Sequence, residues 1–513
     1  MRLLTIVLAA ILSTAVTVFA TGKAEHVVVV VWDGMRPDFV DETNTPTLYQ
    51  LAHEGVFFQN HHAVYLTSTE VNATAMSTGC YPNRSGILGN REYRPRINPL
   101  TNVAVEAFTT VRKGDEITHN HYLQLPTLAE ILQHAGKKTA IAGAKPVVLL
   151  HDRLEQGRVC ADCVNLIERK TVPAAAAEKL DLPAFTPKDI PNTRQDEATT
   201  HALIGPMWDK EVPSYSMLWL SEPDATQHNS GLGTARALKA LKGSDDNLAR
   251  VLTELTARGV RDKTDVFVIS DHGFSTTSRS VDIAAFLKRA GFNAVREFSQ
   301  PPANDDILVI GNGGTELFYV IGHDSKLTHK IVELLQAQDF AGAIFTREPM
   351  DGAFTLDQVR INTSDAPDIA LSFRWTTDKN TSEIAGSVAS DGGNGPGRGV
   401  HTSLSPFDVH NTLIAAGPDF RKGMVDQLPS GNIDLAPTVL HILGVTSPEH
   451  MDGRVLTEAL TSETSKSPDP ATRTLNATRD LGATVWQQYL RVTEFDGTTY
   501  LEEANGHSEP KTK

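Results

Sequence analysis

The sequence predicts an α/β protein with a mostly parallel central sheet and helices on both faces. The strongest indication is His26–Trp32, HVVVVVW, because five consecutive valines suit a strand that is buried on both faces. Two further apolar runs, residues 214–220 (SYSMLWL) and 265–270 (DVFVIS), predict strands of the same kind. Helical patterns at 45–55 and 125–135 and a strand at 138–144 complete a βα alternation.

Each of the three apolar strands runs into an aspartate. Asp33 follows the first, Asp224 follows the second after a short turn, and Asp271 follows the third. The carboxyl ends of parallel strands meet at one edge of the sheet, which is where open α/β sheets bind ligands. Three carboxylates gathered there need cations, so the pattern predicts a metal-binding cleft.

Histidines accompany these aspartates at short range. His228 follows Asp224 within one helical turn, and His272 follows Asp271 directly, with Gly273 allowing the chain to bend. A further histidine, His401, follows the glycine-rich stretch 391–399. That stretch lacks the ending of a phosphate-binding P-loop, so we interpret it as a segment that delivers His401, and with it Arg398, to the cleft.

The stretch 67–79, TSTEVNATAMSTG, supplies a candidate nucleophile. Residues 70–78 contain no proline or glycine, which predicts a short helix with Thr69 as its N-cap and Gly79 as its end. A phosphoryl group at Thr69 would meet the orphan N–H groups of the helix. Asn72 lies one turn further on the same face, where its amide could donate to the same oxygen.

Composition and the amino terminus indicate the compartment. Arg2 and the apolar run 3–20 have the form of a signal peptide over residues 1–20, which predicts an extracytoplasmic protein, either periplasmic or secreted. No later stretch reaches the ~20 apolar residues of a membrane span. The formal net charge of −15 argues against a nucleic-acid polymer as partner.

The three cysteines fit that compartment. Cys160 and Cys163 are expected to form a small loop disulfide, with a redox motif or half of a zinc site as the alternatives. Cys80 is expected to be a buried free thiol. His61 and His62 are interpreted as exposed loop residues, and His410 as structural.

Taken in order, these residues resemble the alkaline phosphatase superfamily, and within it the type I phosphodiesterase and nucleotide pyrophosphatase branch. The resemblance is carried by the strand before Asp33, Thr69 with Asn72 and the following STGCYP, the pair Asp224 and His228, the triplet DHG at 271–273, and His401. Residues 433–444 also look like a helix found late in these proteins. The resemblance implies an alkaline phosphatase-like core.

The resemblance also implies roles for the site residues. One zinc ion would be held by Asp224, His228 and His401, and the other by Asp33, Asp271 and His272. Thr69 would bridge the ions and attack phosphorus, and water would hydrolyse the resulting phosphothreonine. Mn²⁺ and a single-ion site are compatible with the same residue types.

Differences from the motifs of related families restrict the range of expected substrates. The nucleophile segment lacks the C/S-x-P-x-R signature of sulfatases. Related threonine-dependent monoesterases hold phosphate with Lys-x-Arg, whereas this chain has only Lys145 before Pro146-Val147. The sequence therefore favours a small phosphate diester or phosphonate. Glu70 stands where nucleotide-cleaving relatives carry an aromatic residue, and it is expected to repel a nucleotide's remaining phosphates.

Domain boundaries follow from the same pattern. The catalytic domain is expected over 21–465, with a small α+β insertion at 275–361 that caps the cleft. The core is expected to resume with strands at 369–374 and 412–416, and 466–513 is interpreted as a linker and a hairpin tail. The functional prediction is a metal-dependent hydrolase of phosphodiester, phosphonate or pyrophosphate bonds. The alternatives are a phosphomonoesterase and a non-catalytic binding protein for metals or phosphate esters on the same fold.

Overall fold

A computed structural model describes residues 22–155, 158–180, 189–391, 395–462 and 468–511. The expected signal peptide, 1–20, lies outside these residues. Within the described ranges, every helix is too short or too polar to cross a membrane.

A nine-stranded sheet forms the centre of the molecule. The strands stand in the order Met424–Asp426, Val56–Phe58, Leu413–Ala416, Thr264–Ile269, His26–Trp32, Tyr215–Leu220, Thr139–Gly143, Val164–Ile167 and Lys170–Val172. All neighbouring strands from Thr264–Ile269 to Val164–Ile167 are parallel, whereas Leu413–Ala416 and Lys170–Val172 run antiparallel to their neighbours. The predicted mostly parallel α/β architecture is therefore confirmed.

The valine-rich strand lies in the middle of this sheet and is buried on both faces. Val27, Val29 and Val31 contribute to one apolar layer, and Val28 and Val30 contribute to the other. Such a strand has no polar face, which is why its sequence is a continuous apolar run.

Helices cover both faces of the sheet. The α-helices are Pro46–Glu54, Thr69–Thr78, Pro82–Ser85, Phe108–Thr118, Leu128–His134, Thr193–Ile204, Asp224–Ser230, Ala235–Ala257, Ile283–Arg289, Ser325–Gln336, Pro406–Val409 and Leu435–Ile442. Short 3₁₀ turns lie at Pro37–Phe39, Pro146–Leu150, Ala174–Lys179, Pro206–Trp208, Arg261–Lys263, Leu356–Val359, Asn432–Asp434 and Thr457–Ala459. The apolar side chains of Thr69–Thr78 and Leu435–Ile442 enter one layer, while Pro46–Glu54 and Ala235–Ala257 pack into the other.

The insertion is larger than the sequence predicted. Its six-stranded sheet has the order Ala294–Val295, Ile307–Gly311, Thr315–Val320, Ile369–Phe373, Ala341–Thr346 and Phe354–Thr355. The expectation that 369–374 returns to the core was wrong, because Ile369–Phe373 pairs with two strands of the insertion. An apolar strand looks alike in either sheet, so its sequence could not reveal which sheet it joins.

A four-stranded sheet connects the insertion to the core. Its order is Trp375–Lys379, Ala385–Asp391, Ser275–Val281 and Gly399–Val400. Two smaller ribbons pair His61–His62 with Ser430–Gly431 and Arg91–Glu92 with Val103–Ala104.

The C-terminal residues form three long strands rather than a hairpin. Ala471–Asp480 precedes Thr484–Phe495 and Thr498–Pro510, and its side chains are largely exposed, so it carried no apolar signal. The sheet packs on the insertion, where the buried Trp486 donates from Nε1 to the Gly352 carbonyl at 2.8 Å. The segment is thus part of the fold.

The cysteines behave as expected. Cys160 and Cys163 form a disulfide with an S–S distance of 2.03 Å. Cys80 is a buried free thiol.

Asp265 gives the fold a pH-dependent stability. Its carboxyl lies buried in the strand Thr264–Ile269, accepts a hydrogen bond from the Asp419 backbone at 3.2 Å and leaves Oδ2 unpaired. Burial and the neighbouring Asp419 raise the pKa of Asp265 from 3.8 to about 8. The folded chain therefore holds a proton that the unfolded chain has released over this interval.

We expect Asp265→Asn to make stability less dependent on pH. The stability linked to this proton is fully present below pH ~4 and is lost as pH rises through pH ~8, whereas an amide keeps the neutral form at every pH. Urea unfolding should show the variant matching the wild type at the acid end and exceeding it at the alkaline end. The exposed Asp262→Asn is the control. A difference between variant and wild type that does not change with pH would contradict the assignment.

Candidate active site

The three strand-end aspartates meet at one edge of the central sheet. His26–Trp32 lies between the strands that precede Asp271 and Asp224, in parallel register with both. A side chain at Gly273 would place its Cβ 2.1 Å from the Phe407 carbonyl oxygen. Glycine therefore allows the chain to pack tightly directly after Asp271 and His272.

Three histidines share one orientation toward the same space. The Nδ1 atoms of His228, His272 and His401 each lie 2.9 Å from a backbone carbonyl, of Gly399, Gly273 and Thr67 respectively. A carbonyl can only accept, so each Nδ1 carries a proton, and the neutral form of each ring presents the Nε2 lone pair to the cleft. Asp224 outweighs burial and raises the pKa of His228, whereas burial lowers the pKa of His272 and His401.

The structure brings all six predicted ligands together. The Nε2 atoms of His228 and His401 lie 3.1 and 3.7 Å from Asp224 Oδ1. His272 Nε2 lies 3.3 Å from Asp271 Oδ2 and 3.7 Å from Asp33 Oδ1. In this site, two groups have ligand atoms within 4.8 Å of one another: Asp224, His228 and His401, and Asp33, Asp224 and His272. The first is the predicted set, whereas the second contains Asp224 where the sequence predicted Asp271.

The carboxylates are incomplete without a cation. Asp33 Oδ1, Asp224 Oδ1 and Asp271 Oδ2 are buried and have no hydrogen-bond partner. The opposite oxygens are fixed, for example by Trp219 Nε1 on Asp33 Oδ2 at 2.8 Å. A buried carboxylate oxygen without a partner is costly, and imidazole with carboxylate is a donor set that suits Zn²⁺. The residues therefore fit a divalent metal.

Lys145 supplies the positive charge that the protein itself places in the site. Its Nζ lies 2.9 Å from both Asp33 Oδ2 and Asp224 Oδ2. Burial works to lower the pKa of Lys145, but the two aspartates hold it well above its ordinary value. Burial and Asp271 raise the pKa of Asp33, whereas Lys145 and His228 outweigh burial and hold the pKa of Asp224 well below its ordinary value.

Thr69 lies against the six candidate ligands, which are called the cage below: Asp33, Asp224, His228, Asp271, His272 and His401. Its Oγ1 is 3.3 Å from His272 Nε2, and the residue is buried. The predicted N-cap role was wrong by one position: Ser68 is the N-cap, with extended φ and ψ of −129° and 159°, and Thr69 is the first helical residue. Gly79 ends the helix with a φ of +66°, as the sequence predicted.

Asn72 does not point into the site. Its Nδ2 donates to the carbonyls of Val64, Leu66 and Ser68 at 3.0 to 3.2 Å. Its Oδ1 accepts from the Val64 backbone and from Asn432 Nδ2. The predicted amide donor to phosphate is therefore corrected: Asn72 ties the loop before Thr69 to the helix.

Glu70 lies beside the site and interacts electrostatically with Lys145 and Asp271. It is buried, and one of its carboxylate oxygens has no partner. Burial and the neighbouring Glu106 raise the pKa of Glu70 well above its ordinary value. The expected repulsion of a nucleotide's remaining phosphates by Glu70 stays a prediction. Arg398, in contrast, is exposed, and the structure does not place it with the six ligands.

One residue near the nucleophile was missed. Asn90 is half-buried, and its Oδ1 accepts from the Glu70 backbone at 3.3 Å, directly beside Thr69. No spacing rule links a loop asparagine to a distant helix start, so only the fold could reveal it.

We expect Asn72→Ala to act on stability rather than on chemistry. Removing its hydrogen bonds in the loop should lower the free energy of unfolding by about 2–4 kcal/mol, as measured with urea. Ser77→Ala, on the same helix, is the matched control, since its hydroxyl bonds only within the helix. If stability is unchanged and turnover falls greatly, Asn72 acts in catalysis and the prediction is wrong.

Comparison with known proteins identifies the family of the chain. The model of the type I phosphodiesterase / nucleotide pyrophosphatase family matches residues 27–380. Rat ectonucleotide pyrophosphatase/phosphodiesterase family member 3 is 23% identical over 254 residues, which are 48% of this chain and 24% of that protein. Mouse bis(5'-adenosyl)-triphosphatase enpp4 is 21% identical over 433 residues, covering 82% of this chain and 78% of its own length.

A solved structure shows the same fold. Murine ectonucleotide pyrophosphatase / phosphodiesterase 5, in complex with AMP, superimposes with a TM-score of 0.58 at 16% identity, covering 85% of this chain and all of that one. The protein is thus an alkaline phosphatase-like α/β protein whose core carries a His/Asp cage suited to metal. It belongs to the type I phosphodiesterase / nucleotide pyrophosphatase family. The chain matches about a quarter of the length of relatives such as the rat protein.

Proposed function

We propose that this chain hydrolyses phosphodiester bonds with Thr69 as nucleophile at a two-zinc site. The observation that carries the proposal is the set of three buried carboxylate oxygens without a partner, facing three imidazole Nε2 atoms beside Thr69 Oγ1. Bound divalent ions supply positive charge and lower the pKa of an adjacent hydroxyl. Asp224, His228 and His401 would hold one ion, and Asp33, Asp271 and His272 the other.

The chain's own residues position the nucleophile. Thr69 is the first residue of a helix, so a phosphoryl group at its hydroxyl would lie at the positive end of the helix dipole. Attack of its Oγ on phosphorus breaks the bond to the leaving alcohol and leaves a phosphothreonine. Hydrolysis of this ester by water restores the hydroxyl and releases the monoester product.

The positive charge available at Lys145 indicates which phosphate esters the site prefers. Its single charge is shared between Asp33 and Asp224, and Val147 replaces the arginine of the monoesterase pattern. A monoester dianion needs more positive charge than a diester monoanion. We therefore favour diesters, phosphonates or pyrophosphates over monoesters. Nucleotides fit the names of the relatives, whereas a charge on Glu70 would oppose the remaining phosphates of a nucleotide.

The proposed location is outside the cytoplasm. It rests on the signal-like segment 1–20 and on the Cys160–Cys163 disulfide, which suits an oxidising compartment. Relatives carry names that place them there, including ectonucleotide and venom phosphodiesterases.

We expect Thr69→Ala to abolish hydrolysis of bis-p-nitrophenyl phosphate, with a loss of kcat on the order of 10³-fold or more, because the variant lacks the hydroxyl that forms the ester. The metal content of the variant, measured by mass spectrometry, should be similar to that of the wild type. Ser68→Ala is the matched control, since it removes the adjacent hydroxyl.

EDTA should abolish wild-type activity, and zinc should restore it. Undiminished turnover in Thr69→Ala would refute the nucleophile, and a metal-loaded wild type without turnover on any phosphoester would favour the binding-protein alternative.

We expect Lys145→Met to weaken monoester hydrolysis more than diester hydrolysis. The apolar stem is kept while the charge is lost, and a dianion depends more strongly on that charge than a monoanion. The ratio of kcat/KM for p-nitrophenyl phosphate to that for bis-p-nitrophenyl phosphate should fall about tenfold. The exposed Lys138→Met serves as control. A ratio that rises or stays constant would show that Lys145 does not contact the phosphoryl group.

A further inference from the structure

A second cluster of metal-binding side chains lies outside the active site. It consists of His62, His410 and Glu502, none of which belongs to the cage. His62 was expected in an exposed loop, but its side chain is 1% exposed, in the ribbon strand His61–His62. His410 follows the helix Pro406–Val409, and Glu502 lies on the C-terminal strand Thr498–Pro510.

Three atoms converge at this cluster. Nε2 of His62 lies 3.2 Å and Nε2 of His410 lies 3.6 Å from Glu502 Oε2. The two imidazole rings have centroids 4.6 Å apart. All three ligand atoms lie within 4.8 Å of one another, so one ion could contact them together after a small adjustment of the side chains.

The other polar atom of each of the three side chains already forms a hydrogen bond. His62 Nδ1 donates to the Ser430 carbonyl at 2.8 Å, and His410 hydrogen-bonds to the backbone of His61. Glu502 Oε1 accepts from the Thr493 hydroxyl at 2.5 Å. This arrangement, in which the second atom of each ligand is held by a neighbour, is the one found around metal ions in proteins.

An ion pair alone does not satisfy the buried histidine. His62 Nε2 is within ion-pair distance of Glu502 but has no well-directed hydrogen bond. The contact nevertheless lowers the pKa of Glu502 to about 2, so the carboxylate is ionised and suited to a cation. A metal ion on the lone pair of His62 Nε2 would give that nitrogen a directed partner.

A β-bulge directs Glu502 toward the histidines. Arg491 pairs with Glu503 and Val492 pairs with Leu501, so Glu502 is the extra residue between two consecutive pairs. Bulges re-aim a side chain and are frequent where strands serve a site. The bulge therefore places a carboxylate that a regular strand would have directed elsewhere.

We propose that His62, His410 and Glu502 bind a divalent transition-metal ion. Two imidazoles and one carboxylate are ligands that Zn²⁺ accepts, with solvent in the fourth position. Solvent has access, because the side chains of His410 and Glu502 are 26% and 15% exposed. The ion would join the core, through His62 and His410, to the C-terminal sheet, and would stabilise the folded chain because its ligands come from distant segments.

The test counts metal ions in the purified full-length chain. Glu502→Gln, which keeps the shape of the side chain, and His410→Gln should each lower the zinc content by one ion per chain. Each variant should also show a smaller rise in Tm on addition of zinc than the wild type, because only the cage would still bind the metal. Glu503→Gln is the matched control, since that carboxylate pairs with Arg491 instead. Because the result is a difference between variants, it stands or falls separately from the number of ions in the cage and from phosphodiesterase activity.

Two outcomes would overturn the proposal. One is an unchanged zinc content in both variants, which would leave the cluster as an ion pair only. The other is an anomalous difference map of wild-type crystals grown with zinc that shows no peak between the three ligand atoms. The map needs no variant, so it decides the matter even if a substitution prevents folding.

Discussion

The rest of the structure depends on one electrostatic constraint: three buried aspartates share one edge of the central sheet. Burial and Asp271 raise the pKa of Asp33, and one lysine, Lys145, is in contact with two of the three carboxylates. The carbonyls that the three imidazoles contact keep a proton on each Nδ1, so the neutral form of each ring turns its Nε2 toward the aspartates. The protein therefore leaves a deficit of positive charge, which divalent cations neutralise.

Backbone contacts, more than side-chain packing, hold this unfavourable arrangement in place. The parallel register of the central strands brings the aspartates together, and Gly273 lets the chain pass within contact distance of the Phe407 carbonyl. His401 donates to the Thr67 carbonyl, so the segment that carries a candidate ligand is tied to the segment that carries Thr69, the proposed nucleophile. Ligands fixed in this way do not need to reorganise when charge develops on the substrate.

The sequence predicted most of the cage because strand ends are local features. A continuous apolar run followed by Asp33 or Asp271 identifies both the strand and its ligand without knowledge of the fold. Asn72 was misassigned because its helical position was right, but its partners are loop carbonyls that no spacing reveals. Ile369–Phe373 was placed in the wrong sheet for a related reason, since strand partners are set by tertiary contacts. The cluster at Glu502 depends on a bulge and on a polar third strand, so it too required the structure.

The C-terminal sheet supports the active site through one short segment. His401, a cage ligand, and His410, in the second cluster, stand at the two ends of that segment. Between them, Asp408 accepts hydrogen bonds from two serine hydroxyls, and the Leu404 carbonyl accepts from the Ala504 backbone at 2.9 Å. The last strand of the chain is therefore bonded to the segment that positions His401. Since a displacement of about 1 Å in a catalytic group can reduce turnover greatly, the C-terminal sheet belongs to the scaffold of the active site.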